Sequence, residues 1–296
     1  MNTKSKSYRF IINPVSGEWR KTQKILDEIG RRFSKKADIE YEIKYTEHAG
    51  DATGLAKDAV HRQMSAVIAV GGDGTMNEVA SALIHTDTAL GVLPRGSGNG
   101  YARSLKIPLK LKESLNHLLH PKIVTVDAGK VNDFYFFGLC GVGFDAEIGA
   151  RFQEFGLRGP LPYFYLGLKE YFNFDYEEIQ IITKEHSYTG RPLAVAIANT
   201  EQYGLGAIIN PGADYSDGIL EVCIVEKPKF YRDIFNLPKF FKGRIDSLSI
   251  YKRFRAEEIR IVRARDNAPF HTDGEPREGG AELNVQVIKK ALKVLL

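Results

Sequence analysis

Cysteine is nearly absent from this chain: Cys140 and Cys223 are the only two among 296 residues. They lack the spacing of a metal-ligand set, and both fall in apolar runs that read as strands. Buried free thiols in a reducing compartment are therefore expected, and a disulfide scaffold is excluded. Long apolar runs are missing as well. Met1 to Arg9 is polar and basic and is followed only by the short run Phe10 to Ile12, so neither a secretory signal nor a membrane-spanning helix is expected. Cytoplasmic location follows, with any membrane contact peripheral. Nor does one sign of charge dominate: 41 Lys and Arg stand against 37 Asp and Glu, a net charge of +4. That small excess favours an anionic partner such as a nucleotide, an acidic lipid surface or nucleic acid, and selects none of them. Internal repeats and low-complexity tracts are also lacking.

What is present is the make-up of an ordinary folded protein, 43% apolar and 26% charged, in a chain long enough for two domains at about 100 to 200 residues each. Short apolar runs at 8–12, 40–45, 66–70 and 89–93 read as strands. Helix-like stretches at 22–33, 51–62 and 76–84 alternate with them, the pattern of a parallel sheet flanked by helices. Ligands of such sheets bind at the carboxyl ends of the strands. From Ile123 the pattern changes to closely spaced strands at 123–130, 134–140, 178–183, 193–199, 219–225, 258–263 and 283–288, which predicts a β-sandwich or barrel. The expected organisation is an α/β nucleotide-binding domain over 1–122 and a β-rich lipid-binding domain over 123–284. Helices are expected near 163–172 and 230–242 in the second, and whether 285–296 returns to the first is open.

Three glycine loops leave strands at the same edge of the first domain. Ala69-Val70-Gly71-Gly72-Asp73-Gly74-Thr75 turns from a strand into a helix, presenting backbone N–H groups and a positive helix end to an anion. Glycine lets the ligand approach the backbone, and phosphate is the expected ligand. Asp73 would repel a polyphosphate unless it holds a metal ion or accepts a proton from the group being phosphorylated, which points to a kinase. Pro94-Arg95-Gly96-Ser97-Gly98-Asn99-Gly100 is a second such loop, with Ser97 and Asn99 as polar candidates and Arg103 close behind. Asn13-Pro14-Val15-Ser16-Gly17 is a third, weaker by itself, whose Asn13 and Ser16 can bond a nucleotide or cap a turn.

Late in the chain His271-Thr272-Asp273-Gly274-Glu275 sets two carboxylates around a glycine. Phosphoryl transfer needs a base for the acceptor hydroxyl and carboxylates for magnesium, so Asp273 and Glu275 are expected to complete the site that Asp73 begins. His271 and Asp145 read as structural. Asp214, Asp217 and Ile219 lie in a turn with oxygen ligands that a hard cation could use, although an Asp-Gly turn entering a strand explains the same letters. Leu157 to Phe174, rich in Leu, Tyr and Phe around Pro160 and Pro162, suits a wall over an apolar chain. Lys227 to Arg244 interleaves basic and aromatic residues, which suits an anionic membrane surface or the cover of a packed aromatic face. No pattern for nucleic acid accompanies the charge.

In their order, Asn13 to Gly17, Gly71-Gly72-Asp73-Gly74-Thr75 with Asn77-Glu78, Gly96-Ser97-Gly98-Asn99 with Ala102-Arg103, and Asp273-Gly274-Glu275 resemble the diacylglycerol kinase catalytic family, which includes bacterial lipid kinases and sphingosine and ceramide kinases. The resemblance implies an α/β nucleotide-binding domain, a β-sandwich lipid domain, and phosphorylation of a lipid hydroxyl with ATP and Mg²⁺. Carried over, nucleotide contacts fall on Asn13, Pro14, Val15, Ser16, Gly17, Thr46, Gly72, Asp73, Gly74, Thr75, Met76, Asn77, Glu78 and Ser97. Glu275 is the implied proton acceptor, with Asp273 beside it and Asp73 close to metal and phosphate. A structural magnesium site of bacterial members falls on Asp214, Asp217 and the carbonyl of Ile219. Many bacterial diacylglycerol kinases have an aspartate where this chain has Gly100, and in this loop it is more similar to the sphingosine and ceramide kinases. NAD kinase, which shares the Gly-Gly-Asp-Gly-Thr loop, and a non-catalytic nucleotide or lipid sensor are the competing readings. Expected partners are the lipid substrate and an anionic membrane surface, without nucleic acid, and homodimerisation is open.

Overall fold

The computed structural model describes residues 5–14, 19–154, 174–204, 206–227 and 237–296. The chain divides into two units, Met1–Val126 with Lys290–Leu296, and Asp127–Lys289. The first unit runs β1 (Lys6–Ile12), α1 (Trp19–Phe33), β2 (Ile39–Tyr45), α2 (Asp51–His61), β3 (Ala66–Gly71), α3 (Asp73–Leu83), β4 (Ala89–Pro94), α4 (Gly100–Ser104) and α5 (Leu111–Leu119). Its strands are parallel in the order β2-β1-β3-β4. β3 and β4 are buried along their whole length, which is why they appear as unbroken apolar runs. Ile25, Ile29 and Phe33 recur every fourth residue on α1 and pack on Tyr8, Phe10 and Ile12 of β1. The Phe33 ring meets Phe10 edge-on, 5.1 Å between centroids. Arg9 of β1 is fully buried and survives there because Glu42, Asp58 and the Leu55 carbonyl, each 2.6 Å away, take its donors.

The second unit begins within β5 (Ile123–Val131) and continues with β6 (Phe134–Phe136), β7 (Leu139–Gly143), α6 (Phe144–Glu154), β8 (Ile179–Ile182), β9 (Ser187–Gly190), β10 (Ala194–Ala198), β11 (Gln202–Gly204), β12 (Ala207–Ile208), β13 (Leu220–Val225), α7 (Leu237–Phe241), β14 (Tyr251–Ala256), β15 (Glu258–Arg263), β16 (Phe270–Thr272), β17 (Glu275–Arg277) and β18 (Glu282–Leu295). One antiparallel sheet has the order β14-β13-β10-β7-β16-β17, and in the other β18, β15, β8 and β9 follow one another. Val142, Val195, Ile197, Val222 and Ile224 of the first sheet share a core with Ile179, Ile181, Ile259, Ile261 and Leu283 of the second, which makes the unit a sandwich. The strand expected over 134–140 is two strands, broken at Phe137 and Gly138. The strand expected at 283–288 runs on to Leu295, and its last residues join the first unit, where Val294 pairs with Leu90 of β4. The expected helix at 163–172, and residues 230–236 of the one at 230–242, lie outside the described residues.

Candidate active site

In the first unit the ends of β1, β3 and β4 are tied together by their backbones. Asn13 continues β1, its N–H donating to the Val70 carbonyl at 3.1 Å and its Nδ2 to Thr75 Oγ1 at 3.3 Å. Gly72 is the extended N-cap residue of α3, and the Arg95 N–H donates to the Gly71 carbonyl at 2.7 Å. The two glycine loops consequently run back to back. A Cβ on Gly96 would lie 2.7 Å from Gly72 Cα, which leaves no room for a side chain there, and one on Gly72 would lie 3.3 Å from Gly96 Cα, a tight contact. Asn99, at φ +49°, folds over its own loop: Oδ1 accepts the Gly96 N–H at 2.9 Å and Nδ2 donates to the Gly96 carbonyl at 2.7 Å. Arg103 donates from Nε to the Gly98 carbonyl at 3.0 Å.

Asp73 joins the loops. Its Oδ2 accepts the Gly100 N–H at 3.2 Å and its Oδ1 the Tyr101 N–H at 3.3 Å, so it caps the start of α4 from the first turn of α3. Asn13, Gly72, Asp73, Gly74, Thr75 and the 96–99 loop thus gather at one end of the parallel sheet, with Ser97 exposed. Thr46 adjoins them, its N–H donating to the Ile12 carbonyl at 3.1 Å. Met76 and Asn77 are buried, and Glu78 accepts the N–H groups of Gly50 at 3.0 Å and Ala52 at 3.2 Å, capping α2. Pro14 is half-buried, and Val15, Ser16 and Gly17 lie outside the described residues. A glycine-led helix N-terminus in this setting can hold a phosphate on backbone N–H groups. Burial also pushes the Arg95 guanidinium below its usual range. In the sequence Arg95 stands out only as part of its loop.

In the second unit Asp273 and Gly274, at φ +50° and +85°, form the two-residue turn between β16 and β17. The Asp273 carboxylate accepts three backbone N–H groups, from Gly138 at 2.7 Å, Phe137 at 2.9 Å and Leu139 at 3.1 Å. Its acceptors are directed at the protein, whereas Glu275, which opens β17, is partly exposed. His271 Nε2 lies 2.6 Å from Asp145 Oδ2, and Tyr203 Oη donates to that same oxygen. Cys140, paired with Thr272 in the sheet, and Cys223 are free, and burial pushes both thiols up, Cys223 to about 12. Neither is a nucleophile at neutral pH.

In the Asp214, Asp217 and Ile219 turn both carboxylates accept donors from the protein. Asp214 Oδ1 accepts from Ser216 N at 2.9 Å and Oγ at 2.7 Å, Asp217 Oδ1 accepts the Ile219 N–H at 3.1 Å, and the Arg255 guanidinium bonds Asp217 Oδ2 and faces Glu221 at 3.4 Å. Among the described residues there is no cluster of three or more His, Cys, Asp or Glu able to hold a metal. At Asp217 Oδ2 the Arg255 guanidinium stands in competition with the structural magnesium ion expected of this turn. Of the expected apolar wall and basic stretch, 157–173 and 228–236 lie outside the described residues. In the remainder Phe241 is exposed between Lys239 and Lys242, and among the described residues no helix is long and apolar enough to cross a membrane.

Residues 7–131 match the diacylglycerol kinase catalytic domain, and residues 138–296 match the YegS C-terminal NAD kinase beta sandwich-like domain. A Pseudomonas aeruginosa protein named "Probable lipid kinase YegS-like" is 30% identical over 266 residues, 88% of this chain and 86% of its own. A Citrobacter koseri protein of the same name is 28% identical over 292 residues, 95% of this chain and 94% of its own. A crystal structure of a diacylglycerol kinase from Bacillus anthracis shares the fold at a TM-score of 0.77 and 22% identity, covering 99% of this chain and 98% of that one. Yeast NADH kinase shares it more distantly, at a TM-score of 0.53 and 11% identity, covering 99% of this chain and 84% of that one. With two family domains that together take in nearly its whole length, the chain belongs to the YegS-like lipid kinase family.

Proposed function

We propose that this protein is an ATP- and Mg²⁺-dependent lipid kinase that transfers the γ-phosphoryl group of ATP to a lipid hydroxyl. The observation that carries this reading is the backbone contact between Gly72 and Gly96, which brings two phosphate-sized glycine loops and the Asp73 carboxylate to one sheet end. Backbone N–H groups at the start of α3, with Asn13, Thr75 and Ser97, hold the nucleotide, and Arg95 offsets phosphate charge. The acceptor oxygen attacks the γ-phosphorus, the bond from that phosphorus to the β–γ bridging oxygen breaks, and ADP leaves. Glu275 takes the acceptor proton. Asp73, oriented by its two N–H bonds and partly exposed, is suited to hold magnesium, which when bound supplies charge neutralisation to the phosphates.

Diacylglycerol and sphingoid or ceramide-type lipids are the acceptor classes, and Gly100 favours the latter. The protein works from the cytoplasm, meeting anionic membrane through the basic stretch that ends at Arg244. The test is transfer of γ-labelled phosphate from ATP to extracted lipids, with the product identified by mass. Label in a lipid made by the wild type and not by Asp73→Asn is the expected result. ATP binding without transfer to any lipid would leave a sensor, and formation of NADP from NAD would make the protein an NAD kinase.

A further inference from the structure

The Asp273-Gly274-Glu275 turn rests on a relay of side chains that the proposed reaction does not otherwise use. His271, 5% exposed, sits on β16 directly beneath the turn. Its Nδ1 accepts the Gly274 N–H at 3.3 Å, and its Nε2 meets Asp145 Oδ2, in the first turn of α6, at 2.6 Å. The partners assign the tautomer. An N–H donates only to an unprotonated ring nitrogen, so Nδ1 is bare and Nε2 carries the hydrogen that Asp145 accepts. Tyr203 Oη, from β11, donates to the same carboxylate oxygen.

Two further observations set this relay apart from ordinary packing. Among the described residues Asp145 Oδ1 is buried and has no hydrogen-bond partner. The strand opposite is also cut away for the pair: a Cβ on Gly141 would overlap His271 Nε2 and lie 2.8 Å from Asp145 Oδ2. The turn is thereby gripped on both sides, Asp273 by the Phe137, Gly138 and Leu139 N–H groups and Gly274 by the imidazole. Glu275 follows directly on that grip as the first residue of β17.

We propose that His271 and Asp145 are positioning residues for Glu275, a carboxylate-oriented imidazole that fixes the turn bearing the proton acceptor. The inference rests on the lipid kinase reading above and adds to it a second pair of residues from β16 and α6. Loss of the grip displaces the base from the acceptor hydroxyl, and a displacement near 1 Å costs on the order of a hundredfold in rate.

Two measurements on the full-length protein test it. With wild-type lipid phosphorylation as reference, His271→Ala and Asp145→Ala are expected to lower kcat about tenfold to a hundredfold, with the KM for ATP unchanged because the nucleotide loops belong to the other unit. Asp145→Asn keeps an oxygen that accepts from Nε2 and is expected to restore kcat to within a few-fold of wild type. If His271→Ala lowers the melting temperature but leaves kcat at the wild-type value, or if Asp145→Asn is as slow as Asp145→Ala, the positioning role is wrong. The second measurement is the ¹⁵N spectrum of histidine-labelled protein, expected to show His271 protonated at Nε2 and bare at Nδ1. The reverse tautomer would overturn the relay whatever the substrate. An inactive wild type with the expected tautomer would overturn the kinase reading and, with it, the role assigned to Glu275.

Discussion

Replacing Asp73 separates its two roles, because only one of them needs charge. As a cap it offers acceptors to Gly100 and Tyr101 at 3.2 and 3.3 Å; as a site residue it contributes a carboxylate beside the proposed phosphates. Asp73→Ala removes both acceptors, and loss of a helix cap costs about 0.5 to 2 kcal/mol. At about 2 to 4 °C per kcal/mol for domains of comparable size, that lowers Tm by a few degrees. Asp73→Asn keeps an oxygen for only one of the two N–H groups and sets its NH2 against the other, so its Tm is expected to fall by about half as much. The rates do not follow this order. Losing one preorganised charge-stabilising group costs on the order of 10² to 10³ in kcat, about 3 to 4 kcal/mol, so both variants fall at least a hundredfold in phosphate transfer to lipid. The assay is kcat at saturating ATP and lipid, set beside calorimetric Tm for the three proteins. Asp73→Asn retaining more than about a tenth of wild-type kcat would reduce Asp73 to a structural cap and remove it from the chemistry.

Gly96→Ala must separate the two loops, since its methyl would fall 2.7 Å from Gly72 Cα; a loss of about 1 to 3 kcal/mol with weaker ATP binding is expected, and calorimetry showing neither would contradict the loop packing. Burial works against ionisation of Glu42, but hydrogen bonds from Arg9 and Arg62 outweigh it and hold the carboxyl below its ordinary 4.5. The stabilisation is complete above that value and is lost as pH falls through the lower folded-state pKa, so from about pH 6 to pH 3 the urea midpoint of wild type should drop more than that of Glu42→Gln. Parallel curves would show that this pairing does not control acid stability. Arg255→Met leaves Asp217 and Glu221 without their guanidinium, so Mg²⁺ should raise the Tm of the nucleotide-free variant but not of the wild type. An equal response in the two proteins would return a cation to that turn.

The parallel strands were legible because burial on both faces turns them into short apolar runs: Ala66–Gly71 and Ala89–Pro94 differ from their expected bounds by one residue. Segments whose burial is one-sided or whose partners are remote were not. Tyr251–Ala256 is a charged edge strand with only its first residue buried, and Leu111–Leu119 is a short helix whose leucines pack on distant strands; neither stands out in the sequence. The start of α3 was placed at Met76, three residues late, because glycine argues against helix locally, while Asp73 and Gly74 form the first turn through the cap at Gly72. Near Phe137 and Gly138 the expected strand breaks because their N–H groups turn to the carboxylate of Asp273, well over a hundred positions away. Local propensity carries no record of such a partner.

The same division runs through the candidate site. Glycine and aspartate in the loops were readable as chemistry, since each glycine bears on what its own backbone must approach. Which side chains meet is a different kind of information. Glu78 follows the first loop as a nucleotide candidate by position, yet its carboxylate turns to the start of α2; His271 and Asp145 appeared unrelated and are bonded to each other. Gly141 was the available clue. A glycine inside an apolar strand, outside any turn, marks a place where another side chain passes close to the backbone, and here that side chain is the imidazole under the Asp273-Gly274-Glu275 turn. Gly96 and Gly72 report a backbone neighbour in the same way. Glycine in such positions is therefore informative about the element packed against it more than about its own segment. Here those glycines bracket both halves of the proposed chemistry, the phosphate loops and the turn that carries the base.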